Sequence, residues 1–138
     1  MDPLPTYNLK IEQRPGFAYA LLTAPEVRMS DAARYVAEMA DECGRLGTDK
    51  LLIDRRVDGA PSRTLAYYKV AEIIDKFPPC TRVAFVDEDP ASRERLNWAL
   101  RQAQTDAVSF HIFADAADAE QWLLTNADPP TPGWTPGK

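Results

Sequence analysis

Residues 49–64 read DKLLIDRRVDGAPSRT, and the rest of the predicted architecture follows from this stretch. Residues 50–53, KLLI, form a short apolar run that is typical of a central strand covered on both faces. Gly59 and Pro61 then favour a loop. Ser62 stands where a helix is predicted to begin, because its short oxygen-bearing side chain suits the N-cap position. The stretch therefore predicts a buried strand, a short loop and a helix.

An antiparallel hairpin and a helix are predicted upstream of this stretch. Residues 7–12 and 17–23 both read as strands, and the turn residues 14–16, RPG, lie between them. A helix over about 31–46 follows, with Ser30 as its N-cap.

Downstream, the helix that starts near Ser62 is predicted to run to about residue 77, where two prolines follow. Residues 82–86, RVAFV, indicate a further central strand, and Pro90 stands at the opening of the next helix. The first of these helices is predicted to bury a stripe of apolar side chains at helical spacing, namely Leu65, Tyr68, Ala71, Ile74 and Phe77.

The last strand is predicted over 108–113, VSFHIF, where His111 points away from the face that Phe110 and Ile112 share. Asp115 then caps a final helix that buries Ala119, Trp122 and Leu123. The element order ββαβαβαβα predicts an α/β fold, a mixed five-stranded sheet with helices packed over it.

The composition is that of a single soluble domain. The chain has 138 residues and a net charge of −5, which disfavours a nucleic-acid partner and an acidic membrane surface. No apolar run is long enough to span a bilayer, the N-terminus does not resemble a signal peptide, and Cys43 and Cys80 read as buried thiols. We expect a cytoplasmic protein with a flexible start at 1–5, one domain over 6–126 and a flexible Pro/Gly-rich tail at 127–138.

Three segments together resemble a known family: KLLID at 50–54, RVAFV at 82–86 and VSFHIFADAADAEQWL at 108–123. The combination is similar to the SpoIIAA-like STAS/SEC14 group of small bacterial proteins. The resemblance implies the STAS fold, and it implies regulation or ligand binding rather than catalysis. In that superfamily, anti-sigma-factor antagonists carry a phosphorylated serine in an Asp-Ser-Ser-Gly-like loop at a helix start. Here the corresponding loop reads DRRVDGAPSRT, and Ser62, or less favourably Thr64, occupies the similar place.

Two interpretations of Ser62 stay open at this point. The hydroxyl can act as a helix N-cap, or a phosphate on it can gain from the helix dipole and from nearby arginines. The residues predicted for phosphorylation or partner contact are Ser62, Asp54, Arg55, Arg56 and Asp58, with Arg63 close by.

Asp54, Asp87 and Asp115 each follow a predicted strand and could meet at one edge of the sheet. Such a cluster could hold Mg²⁺, but the favoured interpretation is three separate local roles, namely loop or arginine contacts, a turn and a helix cap. The sequence therefore predicts no metal site and no cofactor.

Aromatic side chains offer a different site. Tyr67, Tyr68, Phe77 and Trp98 could line an apolar cleft between helices and sheet, although core packing explains most of them more simply.

No catalytic motif occurs: the chain lacks the GxSxG, GxGxxG and P-loop patterns, and His111 is its lone histidine. The first functional hypothesis is therefore a non-enzymatic STAS-like module that binds a protein partner. Its contact surface would be the helix beginning near Ser62, the loop before it and residues 87–91, and a homodimer is one form the assembly could take. The alternative hypothesis is a carrier of a small apolar ligand or lipid.

Overall fold

The computed structural model describes residues 7–25, 28–79, 81–103 and 107–125. Cys80 and the two segments predicted to be flexible, 1–5 and 127–138, lie outside the described residues. The element order is the predicted ββαβαβαβα, with β1 (Asn8–Arg14), β2 (Phe17–Ala24), α1 (Met29–Leu46), β3 (Lys50–Val57), α2 (Arg63–Lys76), β4 (Arg82–Asp87), α3 (Pro90–Ala103), β5 (Ser109–Phe113) and α4 (Ala116–Thr125).

The strands form one mixed sheet in the order β1-β2-β3-β4-β5. The hairpin strands β1 and β2 are antiparallel, and the remaining neighbours pair in parallel. The apolar run of β3 therefore lies at the centre of the sheet and the hairpin lies at its edge. This arrangement confirms the predicted fold class.

Successive side chains along each strand alternate between the two faces of the sheet. One face, called here the three-helix face, packs against α1, α2 and α3, and its core includes Leu51, Ile53, Val83, Phe85 and Ile112. The other, called the α4 face, packs against α4, and its core includes Leu52, Ala84, Val86, Phe113 and Trp122. His111 lies on the α4 face, where its ring centroid is 4.6 Å from that of Trp122, so its predicted orientation is confirmed.

Several boundaries differ from those predicted, most of them by one or two residues, and two of the differences have a clear physical cause. Helix α1 begins at Met29, before the predicted N-cap Ser30, because the buried Asp31 carboxylate accepts a hydrogen bond from the backbone amide of Arg28 at 3.3 Å. Strand β3 continues beyond KLLI to Val57, because residues 54–57 still pair with β2 and, in part, with β4. The charged sequence Asp-Arg-Arg thus belongs to the strand and not to the loop.

The buried stripe of α2 is also rotated from the prediction. Its buried residues are Ala66, Lys69, Val70 and Ile73, with Phe77 buried just after the helix. Leu65, Tyr68, Ala71 and Ile74, which were predicted to be buried, lie at the margins and are half-buried. The predicted stripe was wrong at these four positions and did not include Lys69, whereas the burial of Phe77 is confirmed.

Candidate functional site

A cavity of about 260 Å³ lies on the three-helix face, beside the carboxyl end of β3. Its wall consists of Arg55 and Val57 of β3, residues 58–62, and Leu65, Ala66 and Lys69 of α2, together with Leu22 and Tyr35. Three of the residues predicted for phosphorylation or partner contact, Ser62, Arg55 and Asp58, line it. The loop that was singled out in the sequence is thus part of a concave site.

The loop between β3 and α2 is fixed at both ends by hydrogen bonds. The Asp58 amide donates to the Ala24 carbonyl at 3.3 Å, which continues the pairing of β3 with β2. Gly59 then adopts a φ of 76°, a conformation that favours glycine. At the other end, the Ser62 hydroxyl oxygen accepts a hydrogen bond from the Leu65 amide at 3.0 Å. Ser62 is therefore the N-cap of α2.

Arg55 ties this loop to the sheet from the wall of the cavity. Its side chain is 10% exposed, and its Nη1 atom donates to Asp87 Oδ2 at 3.1 Å. Its Nη2 atom donates to the Gly59 carbonyl at 2.6 Å. Asp87 also accepts from the Ser92 hydroxyl and from the Asp89 amide, so its charge is fully engaged by these neighbours.

Lys69 is the second cation in the cavity wall, and the sequence analysis did not select it. The residue is 6% exposed, and its Nζ atom lies 5.5 Å from the ring centroid of Phe85. Among the described residues, no side chain or carbonyl accepts a hydrogen bond from it. The pKa of Lys69 is lowered to about 8, mainly by burial and also by the nearby charge of Arg55, while Asp87 acts in the opposite direction.

The sequence contains a pattern that indicates the burial of Lys69. It falls at helical spacing within the apolar positions Ala66, Val70 and Ile73, where a solvated lysine is not expected. A charged residue inside a buried stripe is therefore the feature that points to this part of the site.

Asp54 and Arg56, the remaining residues predicted for the same surface, lie on the opposite side of the sheet from the cavity. The Asp54 side chain is 2% exposed, and Arg56 donates to it through Nε at 2.9 Å and Nη2 at 3.2 Å. The Tyr19 hydroxyl also donates to Asp54. Desolvation first, and then the hydrogen bond to Asp54, raise the pKa of Tyr19 to about 12.

The three aspartates that follow strands have separate local roles, as the favoured interpretation predicted. Asp54 and Asp87 lie on opposite faces, because Asp87 is in register with Arg55 and not with Asp54. Asp115 accepts a hydrogen bond from the Asp118 amide at 3.0 Å and caps α4. Within the described ranges, no group of three His, Cys, Asp or Glu side chains is arranged to hold a metal ion.

The aromatic residues that were predicted to form an apolar cleft do not line this cavity. Tyr67 is 42% exposed, Phe77 is buried in the core, and Tyr68 and Trp98 are half-buried. The guanidinium of Arg63 lies 5.9 Å from the ring centroid of Trp98 and pairs with Glu94 at 2.9 Å. The aromatic residues therefore contribute to the core and to the outer surface of α2 and α3.

Comparison with known proteins supports the fold. The chain is similar to the solved structure of an uncharacterized protein of the DUF3478 family with a SpoIIAA-like fold from Shewanella loihica, with a TM-score of 0.51. The match covers 89% of this chain and 98% of the other, at 21% sequence identity. No protein-family model matches the chain, and no curated protein matches it in sequence. The likeness establishes the SpoIIAA-like fold that the resemblance implied.

Among the described residues, every helix is too short or too polar to cross a bilayer.

Proposed function

We propose that the chain is a non-catalytic STAS-like module that recognises a protein partner through the start of α2. The surface consists of residues 58–62, Arg63, Tyr67 and Trp98, with residues 87–91 beside them, and is called here the α2 entry surface. The observation that carries the proposal is that the exposed Tyr67 lies one helical turn from Arg63, whose guanidinium lies 5.9 Å from the ring centroid of Trp98.

The chemistry of this surface suits a protein interface. Tyr, Trp and Arg are the residue types most enriched among the side chains that dominate binding energy. Tyr67 follows Arg63 by one helical turn, and Arg63 lies against Trp98. The Arg63–Glu94 pair is half exposed, so it contributes little to stability and can exchange Glu94 for a partner's carboxylate at low cost.

Asp87, the first residue of 87–91, is joined to the loop before α2 because Arg55 donates both to Asp87 and to the Gly59 carbonyl. The Arg95 guanidinium of α3 donates to the Pro61 carbonyl at 2.6 Å. This bond joins the second turn of α3 to the segment that carries Ser62. A partner bound at Ser62 would therefore also meet the loop that precedes α3.

Ser62 gives the proposed surface a means of control. A phosphate on Ser62 would lie at the start of α2, where the helix dipole and Arg63 favour negative charge. The regulatory role that the resemblance implies is thus proposed to act by changing how the α2 entry surface meets its partner.

The alternative, a carrier of an apolar ligand, is less well supported. The cavity wall carries Arg55, which is paired with Asp87, and Lys69, and an apolar ligand would leave the Lys69 charge without solvent or a hydrogen-bond acceptor. A lipid tail is therefore a poor occupant of this space.

Site-specific crosslinking tests the partner proposal. The photo-reactive amino acid benzoylphenylalanine would replace Tyr67 or, as the matched control, Met29, which is similarly exposed at the start of α1. We expect a discrete crosslinked product in a lysate of the source organism from position 67 and not from position 29. A crosslink to a second copy of this chain would identify a homodimer as the assembly. Equal crosslinking at both positions, or none, would refute the proposal.

A further inference from the structure

The burial of the charged Lys69 side chain is not explained by the proposed partner-binding surface. An ammonium group removed from water is strongly disfavoured unless an opposite charge or hydrogen-bond acceptors replace the lost solvation. In the described part of the chain no acceptor bonds to Lys69, which is 6% exposed, so its Nζ atom depends on the little solvent that the cavity admits. Its contact with the ring of Phe85 is a weak substitute for a counter-ion.

The neighbouring charges do not neutralise Lys69. Asp87 is the buried carboxylate on this side of the sheet, and it is already engaged by Arg55, Ser92 and a backbone amide. Arg55 adds a second positive charge to the same wall. Asp58 lies at the exposed rim, where solvent screens its charge. The interior of the cavity therefore holds more positive than negative charge.

The first turn of α2 adds to the same preference. Ser62, its N-cap, lines the cavity, so the positive end of the α2 dipole lies beside it. Anions are favoured at such an end by the helix dipole. The preference of the helix start for anions adds to that of the buried Lys69. The burial of Lys69 is an independent observation.

We propose that the cavity between β3 and α2 binds a small anion, a compound that bears a carboxylate or phosphate group whose oxygens accept hydrogen bonds from Lys69. This inference goes beyond the proposed function, because it requires no protein partner and concerns a different class of ligand. The anion supplies the counter-charge that Lys69 lacks within the described residues.

The size of the cavity limits the ligand. Its volume of about 260 Å³ is below the range of roughly 300–1,000 Å³ that is usual for drug-sized ligands. It is also several times the volume of about 30 Å³ that one water molecule occupies in the liquid. Inorganic phosphate and short dicarboxylates fit this range, so both are suitable probes.

Thermal unfolding at constant ionic strength provides the first test. The chain would be titrated separately with inorganic phosphate, with succinate, with the neutral diamide of succinate and with chloride. We expect a saturable rise in Tm with phosphate or succinate and none with the diamide or chloride. The better of the two anions then tells whether the site takes phosphate or carboxylate groups. If neither anion raises Tm more than chloride does, the proposal is wrong.

Two variants locate the binding. Lys69→Met keeps the length of the side chain and removes its charge, and it is expected to weaken anion binding at least tenfold. Lys76→Met is the matched control, because Lys76 lies on the same helix but pairs with Glu72 away from the cavity. An unchanged anion affinity in Lys69→Met would overturn the proposal, as would an equal loss in both variants.

A measurement on the unsubstituted chain does not depend on how the variants fold. The ¹³C resonance of the Lys69 ε-methylene group reports its protonation, and its pKa would be measured by NMR with and without the better anion. A bound anion stabilises the ammonium form, so the pKa of Lys69 is expected to rise from about 8. The other titratable or charged groups that face it or line the cavity are Arg55, Asp87, Tyr35 and Asp58. A pKa that does not move at saturating anion would contradict the proposal.

Discussion

Asp54 and Arg55 are neighbours in sequence, but they lie in different electrostatic environments on opposite faces of the sheet. On the α4 face, Asp54 is surrounded by donors from Arg56 and Tyr19, and the Arg14 guanidinium lies 3.7 Å from the ring centroid of Tyr19. On the three-helix face, Arg55 faces a cavity that it shares with Lys69. The first environment is closed and internally neutralised, whereas the second is open and holds, beside the Arg55–Asp87 pair, the charge of Lys69, which no acceptor among the described residues bonds.

The comparison distinguishes a charge that neighbouring side chains neutralise from a charge that a ligand could neutralise. A buried carboxylate with several donors needs nothing from outside the chain. A buried lysine without an acceptor lowers stability, because nothing in the chain replaces the water that its charge loses on folding. The two environments should therefore respond differently to substitution: the α4 face should lose stability, and the three-helix face should lose binding.

The largest expected loss of stability is at the core of the α4 face. Trp122 is 3% exposed and packs against His111 and Phe113. Trp122→Ala should lower the free energy of unfolding by about 3–5 kcal/mol, measured by urea denaturation. Leu124→Ala on the same helix is the control, since Leu124 is half exposed and should cost far less. Equal losses in the two variants would show that α4 does not anchor this face.

A smaller loss is expected at the closed network itself. Asp54→Ala removes the acceptor for Arg56 and Tyr19, and it should lower the free energy of unfolding by about 1–3 kcal/mol. Arg56 remains solvated in this variant, so no buried charge is left behind. The thermal response to the better anion should stay that of the parent chain.

Asp41→Ala, at an exposed aspartate of α1, is the matched control and should be nearly neutral. If Asp54→Ala abolished the anion response while leaving stability intact, the contrast between the two faces would be reversed.

The smallest of these losses is expected at the rim of the open site. Ser62→Ala removes the N-cap of α2 and should lower the free energy of unfolding by about 1 kcal/mol. Ser62→Asp should keep the cap and place a favourable negative charge at the helix start. Thermal melts of both variants would be compared with Thr64→Ala, since Thr64 lies within the first turn. A Ser62→Ala variant as stable as the parent would contradict the role of Ser62 as a cap.

Local patterns in the sequence were sufficient to predict the fold. Short apolar runs located β3 and β4, and polar caps or prolines located the starts of α2, α3 and α4, because these signals depend on residues close together in the chain. The inward positions Ala119, Trp122 and Leu123 of α4 followed from helical spacing.

The site was only partly predictable. Ser62, Arg55 and Asp58 were selected because they surround a loop with a clear turn signal. Lys69 was missed although it falls among the buried positions of α2, and its contact with Phe85, a residue of another element, could not be predicted from local spacing. Asp54 and Arg56 were grouped with the site because β3 appeared to end at KLLI, and only the pairing of residues 54–57 with β2 shows that the alternation of faces continues.

The most direct test of the account is the stability of Lys69→Met relative to the parent chain, measured without added anion as a function of pH. The pKa of Lys69 is about 8 in the folded chain, whereas its ordinary value, which applies to the unfolded chain, is 10.5. Below pH 8 both states hold the proton, so the folded chain bears the full cost of the buried charge. Between pH 8 and 10.5 the folded chain loses the proton first, and parent stability relative to the variant rises.

Lys69→Met should therefore be more stable than the parent at pH 7, by about 1–4 kcal/mol. This advantage should shrink as the pH rises through 8 towards 10. The titrations of the tyrosines are common to both chains and largely cancel in the difference. A Lys69→Met variant that is less stable than the parent at pH 7, with a difference independent of pH, would contradict the claim that Lys69 holds an unneutralised charge.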